Sequence, residues 1–243
     1  MPREAPCERP QLIDLYGGPT PNARKVAIML EELGTPYSVR PVDNERGEHL
    51  TPDFLKINPN GKQPVIIDHG DGQAPPLVIW ESGAILFYLA EKHGRFMRTG
   101  LAARAEVMKW LMWQMSALGP TGGQMAYFGK HCETKLPLVI ERFALELHRQ
   151  LRVLDTALSQ QPFVAEQYSI ADIAIYPWWE ALRHVPVVRR RFRKPHWLPW
   201  FVNLVRHETP TYEHIDAWAR RMAARPAVAD GMRAFAVEDR SPN

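Results

Sequence analysis

Two places in this 243-residue chain put polar side chains where a strand gives way to a helix. Thr20-Pro21-Asn22 follows Gly17-Gly18-Pro19, with Thr at a cap position and Pro at the first helical position. Glu81-Ser82 follows the apolar run Leu77-Val78-Ile79-Trp80. A helix start presents N–H groups and the positive end of its peptide dipoles, so each place suits an anion. At Thr20 and Asn22 a hydroxyl and an amide join those donors. Any redox work must borrow its thiol. The two cysteines, Cys7 and Cys132, form no C-x-x-C and are too few for a disulfide framework or a four-thiolate zinc site. Both places also read as plain helix caps.

The surrounding elements follow from periodicity. Gln11 to Tyr16 is a short strand, and Val26, Met29, Leu30 and Leu33 then recur at helical spacing up to Gly34. Tyr37 to Val42 is a second strand, and Thr51-Pro52-Asp53 opens a short helix. Val65-Ile66-Ile67 and Leu77 to Trp80, separated by His69-Gly70-Asp71-Gly72, read as a hairpin, and a helix runs from Ser82 to about Lys92. The order is β-α-β-α-β-β-α over residues 1–95. Beyond it the strand signal ends. No Pro interrupts Leu101 to Leu118, and Leu147, Leu151, Leu154 and Leu158 form a helical stripe. Ser169-Ile170-Ala171-Asp172 has the form of a capping box, with Tyr168 and Ile173 as its staple. Pro177 falls inside that helix and should kink or loosen it. Residues 100–243 therefore read as a helical domain. It contains a Pro-rich excursion at 186–210 before two last helices around Ile215 to Met222 and Val228 to Phe235.

Composition agrees with a folded body. Hydrophobic residues make up 45% and charged residues 23%, away from the signature of disorder. A length of 243 at roughly 150 residues per domain gives about 1.6 domains. The first ten residues lack the apolar core of a signal peptide, and no apolar run reaches the ~18 residues of a membrane span. The expected location is cytoplasmic, with no membrane partner. Net charge is +3, with 10 Lys/Arg against 13 Asp/Glu in residues 1–95 and 20 against 14 thereafter. So small an excess, unless concentrated on one face, does not indicate nucleic acid.

Four segments together resemble the landmarks of the cytosolic glutathione S-transferase superfamily. They are Thr20-Pro21-Asn22, Asn58-Pro59-Asn60-Gly61-Lys62-Gln63-Pro64-Val65, Glu81-Ser82-Gly83-Ala84-Ile85 and Ser169-Ile170-Ala171-Asp172. The Thr-Pro-Asn motif is similar to that of the bacterial nu class, the disulfide-bond reductase type related to the yeast nitrogen-regulation prion protein. The resemblance spans nearly the whole chain, apart from the first ten residues and the excursion. It implies an α/β thioredoxin-like βαβαββα domain followed by an all-helical bundle, and a homodimer. It also implies glutathione, reduced or as its disulfide, acting with a small disulfide, peroxide or electrophile.

The same resemblance assigns roles. Thr20 and Asn22 would hold the glutathione thiolate, with Tyr16 as a lesser rival at the end of the first strand. A cis bond before Pro64 would turn the Gln63 backbone toward the cysteinyl moiety, although the residues alone allow an ordinary trans Pro opening a strand. Ser82 would take the γ-glutamyl carboxylate and Glu81 its ammonium. His49, standing where nu-like proteins carry Gln, and Lys62 would meet the glycyl carboxylate. Arg142 would reach glutathione from the helical domain, or else is simply solvated. Tyr127 is a candidate for the co-substrate pocket, while Trp110, Trp113, Met112, Met115 and Met125 serve equally well as core. Arg189-Arg190-Arg191-Phe192-Arg193-Lys194 with Trp197, Trp200 and Phe201 reads as a solvated cover, with a lid over the co-substrate as the sharper alternative. The expected activity is thiol-disulfide exchange or peroxide reduction by glutathione. The alternatives are conjugation or ether cleavage of an aromatic electrophile, and a glutathione-binding regulator without turnover.

Overall fold

A computed structural model describes residues 13–185 and 211–236. Cys7, the basic-aromatic cluster and the rest of the excursion at 186–210 lie outside the described residues. The chain forms two compact units, one from the described residues up to His93 and from Pro226 onward, the other from Gly94 to Arg225.

The first unit is built on a four-stranded sheet ordered β2-β1-β3-β4. β1 (Ile13–Gly17) buries Ile13, Leu15 and Gly17 in alternation, the period-2 pattern of a strand with a core-facing side. α1 (Pro21–Leu33) carries the chain across to β2 (Tyr37–Pro41), which pairs parallel with β1, as a helical crossover permits and a tight turn does not. α2 (Pro52–Ile57) starts at Thr51, whose hydroxyl accepts the Phe54 N–H at 3.4 Å. β3 (Val65–Asp68) and β4 (Leu77–Trp80) form the expected antiparallel hairpin, and β3 is antiparallel to β1. α3 (Ser82–His93) is tied to the sheet where the Tyr88 hydroxyl donates to Asp68 at 2.9 Å and Lys92 pairs with the same carboxylate.

The second unit is helical. α4 (Leu101–Trp113) passes through a π-helical turn at Gln114–Leu118 into α5 (Gly119–Ala126), and a second π turn follows at Tyr127–His131. The helix expected up to Leu118 is thus longer, and it takes in Pro120 directly after the π turn. α6 (Pro137–Leu158) buries the predicted stripe of Leu147, Leu151, Leu154 and Leu158. α7 (Ile170–Leu182) is nearly all buried and runs through Pro177 without ending there. α8 (Glu213–Ala223) completes the unit. Among the described residues no helix is long and apolar enough to cross a membrane.

At the start of α7 the capping box forms. The Ser169 hydroxyl accepts the Ala171 N–H at 3.3 Å, and Asp172 accepts the Ser169 N–H at 3.0 Å. Asp172 does more than cap, since it also accepts the Val164 N–H at 3.0 Å and the Trp218 indole N–H of α8 at 2.9 Å. One fully buried carboxylate therefore joins a loop, a cap and a second helix.

The last helix, α9 (Pro226–Arg233), departs from the sequence reading that groups it with the helical half. It packs on α1, in the first unit. The approach is close: a Cβ on Gly231 would lie 2.5 Å from the Cα and N of Ile28.

Candidate functional site

Cross-strand pairing puts Arg40, Tyr16, Val65 and Trp80 in one row at one end of the sheet. Three chain segments must therefore emerge side by side: the loop after β1, the residue before β3 and the turn after β4. They carry Thr20 and Asn22, Gln63 and Pro64, and Glu81 and Ser82 respectively. Thr20 is the cap of α1 and accepts the Ala23 N–H on its hydroxyl oxygen at 3.3 Å. Accepting at oxygen leaves its O–H to donate outward. Asn22, at the second helical position, is half-buried.

The Gln63–Pro64 bond is cis, as the resemblance implies. The Gln63 side chain donates to Asn44 Oδ1 at 2.9 Å and to the Val42 carbonyl at 3.4 Å. Its own Oε1 is buried and makes no hydrogen bond. The loop after β1 passes close by: a Cβ on Gly18 would sit 3.0 Å from the Val42 oxygen and 3.3 Å from Gln63 Nε2. Before Gln63 the chain turns at Asn58, whose Oδ1 accepts the Asn60 N–H at 3.0 Å and whose amide donates to the Lys62 carbonyl. The Lys62 side chain is exposed. His49 lies in a single 3₁₀ turn, Glu48–Leu50, with Nδ1 buried and without a hydrogen bond. Two orphaned buried polar atoms, on Gln63 and His49, are what a site for a polar ligand would contain.

Between β4 and α3 the backbone is strained. Glu81 has φ of 71° and accepts the first helical hydrogen bond, from the Ile85 N–H at 3.0 Å. A left-handed conformation at a non-glycine residue costs about 1–3 kcal/mol and collects at functional sites. Asn60 Nδ2 reaches the exposed Glu81 carboxylate at 3.4 Å. Ser82 is buried, and its hydroxyl accepts from Lys25 Nζ at 3.4 Å. Lys25 is 1% exposed. Burial holds its ammonium well below the ordinary lysine pKa, against an opposing pull from Glu81.

The other predicted residues have these surroundings. Tyr16 packs against Val42, Phe54 and Val65. Tyr127 opens the second π turn, 53% exposed, with its ring edge-on to Phe128 at 5.1 Å. Arg142, on α6, stands 4.0 Å from Glu146. Trp110 and Met125 are buried, whereas Met112 is exposed. Sequence reasoning missed Lys25, Asn60 and Gly18. For Lys25 a signal existed, because it stands four residues before Met29 and so falls on the apolar stripe of α1.

Chemically, the edge offers hydroxyl and amide donors at one helix start, a peptide-like edge beside a cis proline, and an anion pocket at a second helix start. Among the described residues no group of three His, Cys, Asp or Glu is placed to hold a metal ion.

Comparison with known proteins gives the family. Residues 12–91 match the family model of the glutathione S-transferase N-terminal domain, and residues 137–230 match that of the C-terminal domain. The disulfide-bond oxidoreductase YfcG of Escherichia coli is 37% identical over 223 residues, covering 91% of this chain and 94% of its own. A glutathione transferase from Pseudomonas putida, solved with one glutathione disulfide per subunit, superposes with a TM-score of 0.78 at 37% identity and covers 94% of each chain. One from Burkholderia graminis, solved with two glutathione molecules per subunit, gives 0.77 at 35% identity, covering 94% of this chain and 90% of that one. The chain belongs to the glutathione S-transferase family.

Proposed function

We propose that this protein is a glutathione-dependent disulfide-bond oxidoreductase that uses no thiol of its own. The carrying observation is the single row of paired residues that brings Thr20, the cis Gln63–Pro64 bond and Glu81-Ser82 to one sheet edge. Ser82 and the first turn of α3 bind the γ-glutamyl carboxylate, and Glu81 meets the neighbouring ammonium. The Gln63 backbone pairs with the cysteinyl moiety. His49 and Lys62 serve the glycyl carboxylate, and Arg142 and Tyr127 are further contacts of glutathione and of the co-substrate. The orphaned Gln63 Oε1 and His49 Nδ1 fit such a ligand, since a tripeptide carries donors along its length.

Glutathione supplies the reacting thiol. Thr20 and Asn22, together with the positive end of α1, hold its sulfur as thiolate. Attack on a disulfide forms one mixed disulfide and releases one thiolate, which leaves with a proton. A second glutathione thiolate then attacks the glutathione sulfur of the mixed disulfide. Two glutathiones become glutathione disulfide, and the substrate leaves as two thiols. The relatives solved with glutathione disulfide or with two glutathiones support this stoichiometry.

Turnover of 2-hydroxyethyl disulfide with glutathione tests the reading directly. Steady consumption of glutathione above the uncatalysed rate is expected. Tight glutathione binding with no turnover would sink the oxidoreductase reading and favour electrophile conjugation or a regulatory role.

A homodimer is part of the proposal. Leu77, Val78 and Trp80 on the edge strand β4, and Phe87 on α3, are exposed large hydrophobics of one unit, the kind of surface a partner covers. Sedimentation at micromolar concentration should give about twice the chain mass of 27.9 kDa. A mass of one chain would overturn it.

A further inference from the structure

A buried lysine is expensive, because its charge loses water that few protein groups replace. Elsewhere the apolar stripe of α1 is filled by Val26, Met29 and Leu30, each fully buried at no such cost. Lys25 stands on the same stripe, just as deeply buried, one turn beyond Asn22. Its Nζ reaches the Ser82 hydroxyl, itself buried, at 3.4 Å across 57 residues of sequence. The residue before Ser82 is the strained Glu81, whose carboxylate is near enough to act on the lysine. A methionine would fill this space. It could neither hold the serine hydroxyl nor balance the acid on the turn.

We propose that Lys25 is a positioning residue of the anion site. From α1 it orients the Ser82 hydroxyl and adds positive charge where the γ-glutamyl carboxylate binds. The inference rests on the glutathione reading above and deepens it. It links the two helix starts of the site, since the helix that holds the thiolate at Thr20 also supplies the cation for the carboxylate pocket. A hydrogen bond from Lys25 to the Ser82 oxygen restricts how that hydroxyl can turn. In its charged form Lys25 is screened little by salt in so dry a place, so the ammonium acts on the ligand carboxylate at greater strength than a surface lysine would.

The test compares two ligands on two proteins. One ligand is glutathione, and the other is 4-aminobutyryl-cysteinyl-glycine, the same peptide without the γ-glutamyl carboxylate. Calorimetry on the wild-type protein should show the analogue binding more weakly. Lys25→Met should weaken glutathione about tenfold, the scale of a charge-assisted hydrogen bond, and change the analogue less than about twofold. In kinetics the loss should appear in KM for glutathione, with kcat little altered. Equal losses for both ligands would reduce Lys25 to a packing role and overturn the proposal, as would no loss for either. If the wild-type protein itself binds neither ligand, it is the glutathione reading that fails.

Lys25→Met need not fold, and a second measurement does not depend on it. In wild-type protein labelled with ¹³Cε-lysine, resistance to reductive methylation marks the Lys25 resonance among the described lysines, of which it is the one buried, and Lys194→Arg removes the remaining lysine from the spectrum. The Lys25 resonance should shift on adding glutathione and stay in place on adding the analogue. Identical responses to both ligands would refute the role.

Discussion

Replacing Thr20 and Asn22 together by alanine is expected to reduce glutathione-dependent turnover of 2-hydroxyethyl disulfide by about 10²–10³-fold, the range for losing preorganised donors at a charged centre. The reason lies in what α1 keeps. Without Thr20 the Ala23 N–H loses its cap, at a cost of about 1 kcal/mol, yet the helix remains held by α3 and α9. The fold should survive while the thiolate loses its hydroxyl and amide donors. The variant should still bind glutathione through Ser82 and Gln63. Its rate should rise with pH toward the ~8.5 of an unassisted thiol, whereas the wild-type rate levels off earlier. Unchanged turnover in the double variant would move the thiol contact elsewhere, with Tyr16 the first candidate to test.

The largest stability effect belongs to Asp172. Asp172→Ala leaves the Val164 N–H, the Ser169 N–H and the Trp218 indole N–H without their acceptor in a place that water does not reach. A loss of about 3–5 kcal/mol is expected, read as a lower denaturant midpoint. The pH dependence has a definite sign. Burial pushes this carboxyl up to about 6, although Val164, Trp218 and Ser169 all donate to it and pull the other way. A folded pKa above the unfolded one means that the native state holds the extra proton between pH ~4 and 6. Stability from Asp172 is thus full below that window and declines as pH rises through it. Asp172→Asn carries no titrating group at this position, so subtracting its stability curve from the wild-type curve isolates the contribution of the carboxyl. A difference that grew with pH over the same window would show that the hydrogen bonds to the carboxylate outweigh burial.

Local grammar makes much of the fold readable. Thr20, Thr51 and Ser169 announce helix starts because a cap is settled within three or four residues. The hairpin at Val65 to Trp80 is readable for the same reason, as its two runs are neighbours in the chain. Partner choice is a different matter. An apolar face on Val228 and its neighbours says that α9 is covered, and nothing in it says by α1. The π turn at Gln114–Leu118 is equally silent, since it shifts the hydrogen-bond frame without any change of composition. In the site, the strand-to-helix junctions stand out by residue type, whereas Lys25 hides within a stripe that periodicity reads as core. The Arg- and Trp-bearing excursion at 186–210 keeps its status as an expectation, outside the described residues.

The seating of α9 on α1 bears on how the protein is made. Ile28 and Gly231 touch across about 200 residues of chain. At a synthesis rate of ~5–20 residues per second, the partner of α1 leaves the ribosome roughly 10 to 40 s after α1 itself. Through that interval the helix that begins at Thr20 has one flank uncovered, while α4 to α8 are synthesised after it. The nascent sheet unit is therefore the last to close although it is the first to appear. A chaperone that shields apolar helix faces would find its longest-lived target there, and a message cut short before Pro226 would leave the sheet unit without its last helix.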